Sequence, residues 1–415
     1  MSGNYGRERL EAAYEVAVKV VFYNIAGIGH INPTLPLVKL WVENEAEVFY
    51  YSYPQRQALI ETIGAKFFNY GYDEFSANDF NPGKNFVQQT FPATQGILPY
   101  LLQQAERERP DLIFYDSMAP WGYCVAKILG IPAICTVTTF ALSREIRSRT
   151  FARFGLQKDE VNERALVHLR QEYGIALESI DALGCYAESN LVFTSQAFNP
   201  ALGETSGKKF YFTGASCERN EDLTSFPLVK LAKLEKEKKV VYFSLGTILF
   251  SEDPRSIRIA QSLIEAFGHR DDCVVIISVG GADMVRNLGP LPDNVFAFAY
   301  VPQIEILKKY ANIFVNHAGM NSLNEALHFS VPVLVLPHSK DQFINAERVV
   351  ELGVGKSLNW EQATARNLGA AVSEILENPQ YRENCRQFGF DQELKITELT
   401  KLFLGKIRGE PCARS

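Results

Sequence analysis

Short apolar runs alternate with stretches of helical periodicity along nearly the whole chain. In the first half, residues 18–25, 47–52, 66–70, 112–115, 133–137 and 191–194 read as strands, being apolar and rich in β-branched and aromatic side chains. Between them, residues 34–43, 55–63 and 88–107 repeat apolar positions at helical spacing. The second half follows the same plan, with strands at 240–247, 273–279, 295–298, 313–316 and 333–337 and helices at 257–267, 304–308, 321–329 and 345–352. A last helical run covers residues 380–407. Strands that alternate with helices in this way predict an α/β protein whose parallel sheets are covered by helices.

At 415 residues the chain is too long for one ordinary core, so two domains are expected. A strand-first unit begins at residue 18 and another at 240, and the charged stretch between them contains Leu-Glu-Lys-Glu-Lys-Lys at 234–239. The predicted division is an extension at 1–17, a first domain at 18–216, a linker at 217–239, a second domain at 240–378 and a C-terminal helical segment at 379–415. Residues 1–17 have two readings: a segment foreign to the fold, or an amphipathic helix built on Leu10, Ala13, Tyr14 and Ala17.

Charge and cysteine usage narrow the function. The net charge is −6 and the basic residues are dispersed, which argues against nucleic acid as a partner. Seven widely spaced cysteines without a CxxC pair look like reduced thiols, neither a disulfide frame nor a zinc site. The first seventeen residues, with three Glu and two Arg, do not resemble a signal peptide. The least charged stretch, 119–142, is interrupted by Gly130-Ile-Pro132 and reads as a buried helix and strand, not a membrane span. A cytoplasmic protein is expected.

The densest chemistry lies between residues 300 and 342: Tyr300-Val-Pro-Gln303, Asn316-His317-Ala-Gly319-Met-Asn321-Ser322-Leu-Asn-Glu325, and Pro337-His-Ser-Lys-Asp341-Gln342. A strand ending at Asn316, a turn at Gly319 and a helix from Asn321 bring His317 and free backbone N–H groups to one point, an anion site. Glu325, one turn along that helix, suits two ribose hydroxyls. Asp341 and Gln342 follow the next strand and reach the same crevice.

This arrangement resembles the nucleotide-sugar signature of family 1 glycosyltransferases, which have the GT-B fold. His-x-Gly-x-Asn-Ser-x-x-Glu, with Asp-Gln beginning sixteen residues after that Glu, stands here in register. Within the family the chain is most similar to the bacterial macrolide and natural-product branch, from about Val18 onward. The resemblance implies two Rossmann-like domains facing across a cleft, the first binding the acceptor and the second the nucleotide sugar, with the last helix crossing back to the first domain. It implies that His30, in the loop Ala26-Gly-Ile-Gly-His30-Ile-Asn-Pro33, is the general base and that Asp116 is its partner; Asp116 also has the simpler reading of a helix cap. The loop glycines are expected to adopt unusual backbone angles. Donor contacts are expected from Ser244, Thr247, Tyr300 (stacked on uracil), Gln303, His317, Gly319, Asn321, Ser322, Glu325, Asp341 and Gln342. His338, which differs from the Trp common there in plant members, either touches the sugar or caps a strand.

No Asp-x-Asp occurs, so the reaction is expected to be metal-independent, with the UDP-sugar a co-substrate and no cofactor. Phe86, Met118, Trp121 and Phe140, with Phe75, Phe80 and Phe91, have two readings, an apolar acceptor pocket or ordinary core, and residues 72–99 form the expected acceptor loop. The expected activity is that of an inverting hexosyltransferase acting from UDP-glucose, or from a dTDP-deoxysugar as second choice, on a hydroxyl of an apolar natural product such as a macrolide or polyphenol. The chain is expected to be a monomer or homodimer. The alternatives are a nucleotide-sugar 2-epimerase and a non-catalytic helper of a partner transferase.

Overall fold

The computed structural model describes residues 17–71, 86–153, 159–205, 207–215, 217, 226, 238–246, 253–338, 341–388 and 396–407. Residues 1–16 of the extension, Phe75 and Phe80 of the acceptor segment, almost all of the expected linker, and Thr247 lie outside the described residues, as does the side chain of Phe86.

The strands form two sheets. The first holds β1 (Lys19–Tyr23), β2 (Glu47–Ser52), β3 (Lys66–Asn69), β4 (Leu112–Asp116), β5 (Ala133–Val137), β6 (Ser189–Val192) and β7 (Lys209–Phe212), in the order β3-β2-β1-β4-β5-β6-β7. The second holds β8 (Lys239–Ser244), β9 (Cys273–Ser278), β10 (Val295–Phe298), β11 (Ile313–Asn316), β12 (Val333–Val335) and β13 (Gly355–Ser357), in the order β10-β9-β8-β11-β12-β13. Every pairing is parallel. Strands buried on both faces explain the continuous apolar runs, such as Cys273–Ser278 and Leu112–Asp116.

In both sheets the order reverses at the first strand: β1 lies between β2 and β4, and β8 between β9 and β11. Such a switch point opens a crevice beyond the carboxyl ends of the strands. The loops after β1 and β4 therefore meet at one crevice, and those after β8 and β11 at another.

Several elements depart from expectation. β7 and β13 were not anticipated, nor were the helices Arg144–Arg153, Glu160–Tyr173 and Ala365–Glu377. The helix expected from 345 begins at Asp341. The run expected at 380–407 is two helices, Gln380–Gln387 and Ile396–Ile407. On the second of these, Leu399, Phe403 and Leu404 are buried with Val20, Phe22 and Trp41 of the first sheet and its helix Leu35–Glu43, and Phe403 meets Tyr211 edge-on at 6.0 Å. Among the described residues no helix is long and apolar enough to cross a membrane.

Candidate active site

After β1 the chain makes a single helical turn, Ile28–Ile31, closed by bonds from the His30 and Ile31 N–H groups to Gly27 O at 2.9 and 3.1 Å. Asn24, at the end of the strand, fixes this turn: its Nδ2 donates to His30 O at 3.1 Å and to Tyr50 Oη at 2.7 Å. The loop glycines were expected to take unusual angles, but neither Gly27 nor Gly29 has a positive φ. Gly27 leaves room beside the ring: a Cβ there would lie 3.2 Å from His30 Cδ2, a tight contact.

Because β1 pairs with β4 and β4 with β5, side chains distant in sequence converge on His30. Its Nδ1 lies 2.8 Å from Asp116 Oδ2 and 2.7 Å from Thr138 Oγ1. Asp116 is fully buried, and its other oxygen accepts from Met118 N at 2.8 Å, so it orients the ring and ties the following turn at once. With Asp116 accepting the Nδ1 proton, the lone pair sits on Nε2, the tautomer a general base requires. Burial opposes protonation of His30, but the charge and hydrogen bond of Asp116, with the charge of Asp341, outweigh it and raise the pKa above the ordinary imidazole value. Thr138 was not singled out from the sequence; its only signal is a hydroxyl just past the carboxyl end of a buried strand.

In the second domain, His317 follows β11 and precedes the helix Met320–His328. The tight turn was assigned to Gly319, yet the left-handed residue is Ala318, with φ 63°, while Gly319 has an ordinary φ of −66°. Ala318 is held there by Asn316 Oδ1, which accepts from its N–H at 2.8 Å, and by Asn345 Nδ2, which donates to its carbonyl at 2.9 Å. Gly319 serves another purpose: a Cβ would sit 2.5 Å from His317 Nε2. Gly246, with φ 79°, flanks the same ring: a Cβ there would lie 3.1 Å from His317 Cε1.

His317 is held neutral. Burial, aided by the positive charge of His338, lowers its pKa to about 4. It thus offers an anion an N–H donor and no charge. Its Nδ1 is buried without a hydrogen-bond partner among the described residues.

Gln303 links two other expected donor residues, Ser322 and Glu325. Its Nε2 donates to Glu325 Oε2 at 2.5 Å and lies 3.3 Å from Ser322 Oγ, while its Oε1 accepts from Tyr242 Oη at 3.1 Å. Ser244 Oγ accepts from Gly246 N at 3.3 Å. Gln342 Oε1 accepts from His338 N at 2.8 Å, and the His338 ring packs on Trp360 with centroids 4.4 Å apart. Tyr300 is 54 % exposed. Among the described residues no group of three or more His, Cys, Asp or Glu is placed to hold a metal ion.

The two crevices face each other. Asn321 Nδ2, at the start of the donor helix, donates to Gly29 O in the His30 turn at 3.1 Å. The acceptor side is less well matched to expectation. Met118 is half-buried, but Trp121 is 1 % exposed and donates from Nε1 to Tyr70 Oη, and Phe140 is 2 % exposed against Phe198. Both present no face to a ligand here, because each is packed into a core on nearly every side.

Two Rossmann-like sheets with their switch points opposed, a His-Asp pair on one side and a His-capped helix on the other, define a GT-B transferase. The family described as "Erythromycin biosynthesis protein CIII-like, C-terminal domain" matches residues 261–395. An uncharacterized UDP-glucosyltransferase, YdhE of Bacillus subtilis (strain 168), is 30 % identical over 379 residues, covering 89 % of this chain and 92 % of its own. The NDP-glycosyltransferase YjiC of Bacillus licheniformis is 32 % identical over 371 residues, covering 87 % and 90 %. The glycotransferase of kitacinnamycin superposes with a TM-score of 0.79 at 25 % identity over 95 % of this chain and 99 % of that one. The chain belongs to the family 1 glycosyltransferases of GT-B fold, in the bacterial macrolide and natural-product branch.

Proposed function

We propose that this glycosyltransferase is inverting and metal-independent, and that it moves a hexose, glucose in the first instance, from a UDP-sugar to a hydroxyl of an apolar natural product. The observation that carries the reading is the position of His30: oriented by Asp116 at 2.8 Å, in a turn bonded directly to the donor helix through Asn321. In this reading His30 Nε2 takes the acceptor proton as that oxygen attacks the anomeric carbon from the face opposite the nucleotide. Asp116 balances the imidazolium. The leaving diphosphate is met by the His317 N–H, Asn321, Ser322, Thr247 and the N-terminal amides of Met320–His328. Glu325, relayed to Gln303, receives the ribose, Tyr300 the base, and Asp341 and Gln342 the sugar hydroxyls.

Glucose as first choice is supported by relatives named as UDP-glucosyltransferases, and an apolar natural-product acceptor by a relative named oleandomycin glycosyltransferase, 25 % identical over 380 residues. The absence of Asp-x-Asp from the whole sequence supports a diphosphate held without metal. A 2-epimerase would need acidic groups around the sugar in place of the His30–Asp116 pair, and a helper would have no use for a buried, oriented base. The deciding experiment incubates the protein with UDP-glucose, or with a dTDP-deoxysugar, and a panel of macrolide and polyphenol aglycones, followed by mass spectrometry. A mass gain of one hexose with inverted anomeric configuration supports the reading. UDP-sugar interconversion without acceptor identifies the epimerase instead.

A further inference from the structure

The two helices that carry the donor residues, Met320–His328 and Asp341–Glu351, are both tied to one short piece of the first domain, residues 193–199 just beyond β6. From the first helix, Asn324 Nδ2 donates to Phe193 O at 2.7 Å and its Oδ1 accepts from Thr194 Oγ1 at 2.6 Å, all of it buried. From the second, Arg348 donates through Nε to Phe198 O and through Nη2 to Ala197 O, each at 2.9 Å. Phe198 is fully buried and packs with Met320 and Leu323 in the core of the second domain.

The same piece grips the loop that supports His30. Asn199 Oδ1 accepts from Ala141 N and its Nδ2 donates to Ala141 O, each at 2.9 Å, and Phe140 packs on Phe198 at 5.2 Å. Three residues earlier in that loop, Thr138 meets His30 Nδ1 at 2.7 Å. A continuous chain of directional, largely buried contacts thus runs from both donor helices to the imidazole.

We propose that residues 193–199 act as a strap that sets the spacing between His30 and the bound donor sugar, with Asn324 and Arg348 as its positioning residues. Interfaces between domains of one chain ordinarily permit relative motion. Hydrogen bonds that must be kept in full once buried, and a forked guanidinium on consecutive carbonyls, restrict it to one register. In-line transfer needs that restriction, because the base and the acceptor are presented by one domain and the anomeric carbon by the other. The inference rests on the roles proposed for His30 and the donor helices.

The test uses the full chain with Asn324→Ala, Arg348→Met and Arg348→Lys. Calorimetry measures UDP binding, steady-state kinetics measure kcat and KM with UDP-glucose, and small-angle scattering measures the spread of interdomain distances. Asn324→Ala and Arg348→Met are expected to lower kcat about ten- to a hundredfold, as for a displacement near 1 Å of reacting groups. UDP affinity is expected to hold, the distance distribution to broaden, and Arg348→Lys to recover part of kcat. Variants that melt earlier but keep kcat would reduce the strap to a structural tie and overturn the proposal. So would a fall in UDP affinity matching the fall in kcat, which would locate the effect within the donor helix. If the unaltered chain transfers no sugar, the functional reading fails, and scattering still decides the strap: variants that coincide with the parent remove it.

Discussion

Gly319→Ala tests the His317 cradle with the smallest possible change. Gly319 has φ −66° and ψ 135°, which alanine adopts freely, so the backbone itself resists nothing. The added Cβ would lie 2.5 Å from His317 Nε2 and 2.8 Å from Cε1. A comfortable contact needs about 3.5–4.0 Å, so the ring must retreat by roughly 1 Å. It cannot retreat freely: Gly246 also borders the ring, and Ala318 is locked by Asn316 and Asn345. Overpacking of this kind costs about 1–3 kcal/mol. Since the displaced ring is the one whose N–H is proposed to meet the diphosphate, kcat/KM for the donor is expected to fall about 10- to 100-fold. The assay is donor-dependent kinetics at saturating acceptor together with UDP calorimetry. Loss should appear in both, and the pH at which the rate rises on the acid side should not move, since His30 is untouched. Unchanged donor kinetics in a folded Gly319→Ala protein would refute the placement of His317 at the diphosphate.

Three further outcomes are expected. Glu325→Ala should weaken UDP-glucose at least tenfold and a 2′-deoxyuridine donor much less, because a charge-assisted bond contributes about 1.5–3 kcal/mol; equal losses in a binding titration would remove the ribose assignment. Transfer should persist in excess EDTA, and loss with rescue by Mg²⁺ or Mn²⁺ would mean the diphosphate site is misread. His30→Ala should slow transfer to an aliphatic alcohol by about 10² to 10⁴ while leaving UDP binding alone and sparing a nitrophenol ionised at high pH. Because Asp116 raises the His30 pKa, the acid limb of the pH–rate profile is expected above that of an ordinary imidazole, and Asp116→Asn should shift it downward as well as lowering its plateau; a limb that stays fixed would detach it from His30.

The parts of this protein that show in the sequence are those governed by local geometry. Cys273–Ser278 and Ala133–Val137 are apolar because both faces of each strand are buried, and the carboxyl ends of such strands are where chemistry collects. His317 through Glu325 are legible for the same reason, being one strand end and one helix face. β7 and β13 escaped notice because Lys209–Phe212 and Gly355–Ser357 are edge strands, short and only partly buried. Thr138 was invisible because its contact with His30 exists only through the pairing of β1 with β4 and of β4 with β5, which no local pattern states. The acceptor aromatics failed differently: composition cannot separate a pocket wall from a core, and Trp121 and Phe140 proved to be core. Gly27 and Gly319 were singled out for the wrong property, since neither has a positive φ, and Gly319 is needed for the room beside an imidazole.

The two cleft histidines give the site its direction. Burial disfavours the charged form of each, yet their pKa values move apart, and such a divergence separates chemical roles. His30 has a buried carboxylate on Nδ1, so a proton gained at Nε2 is compensated where it arrives. Among the described residues His317 has no partner at Nδ1, and burial with the charge of His338 lowers its pKa to about 4, so it stays neutral through the physiological range. Were His317 cationic, it would hold the diphosphate tightly before and after transfer alike, stabilising ground state and product with no gain in rate. In the proposed reaction, a neutral donor beside helix amides would meet the charge that grows as the sugar–phosphate bond breaks and still let the nucleotide leave. Under the proposed reaction the proton therefore moves into the first domain while negative charge develops in the second, and the contact between Asn321 and Gly29 lies where those two halves meet.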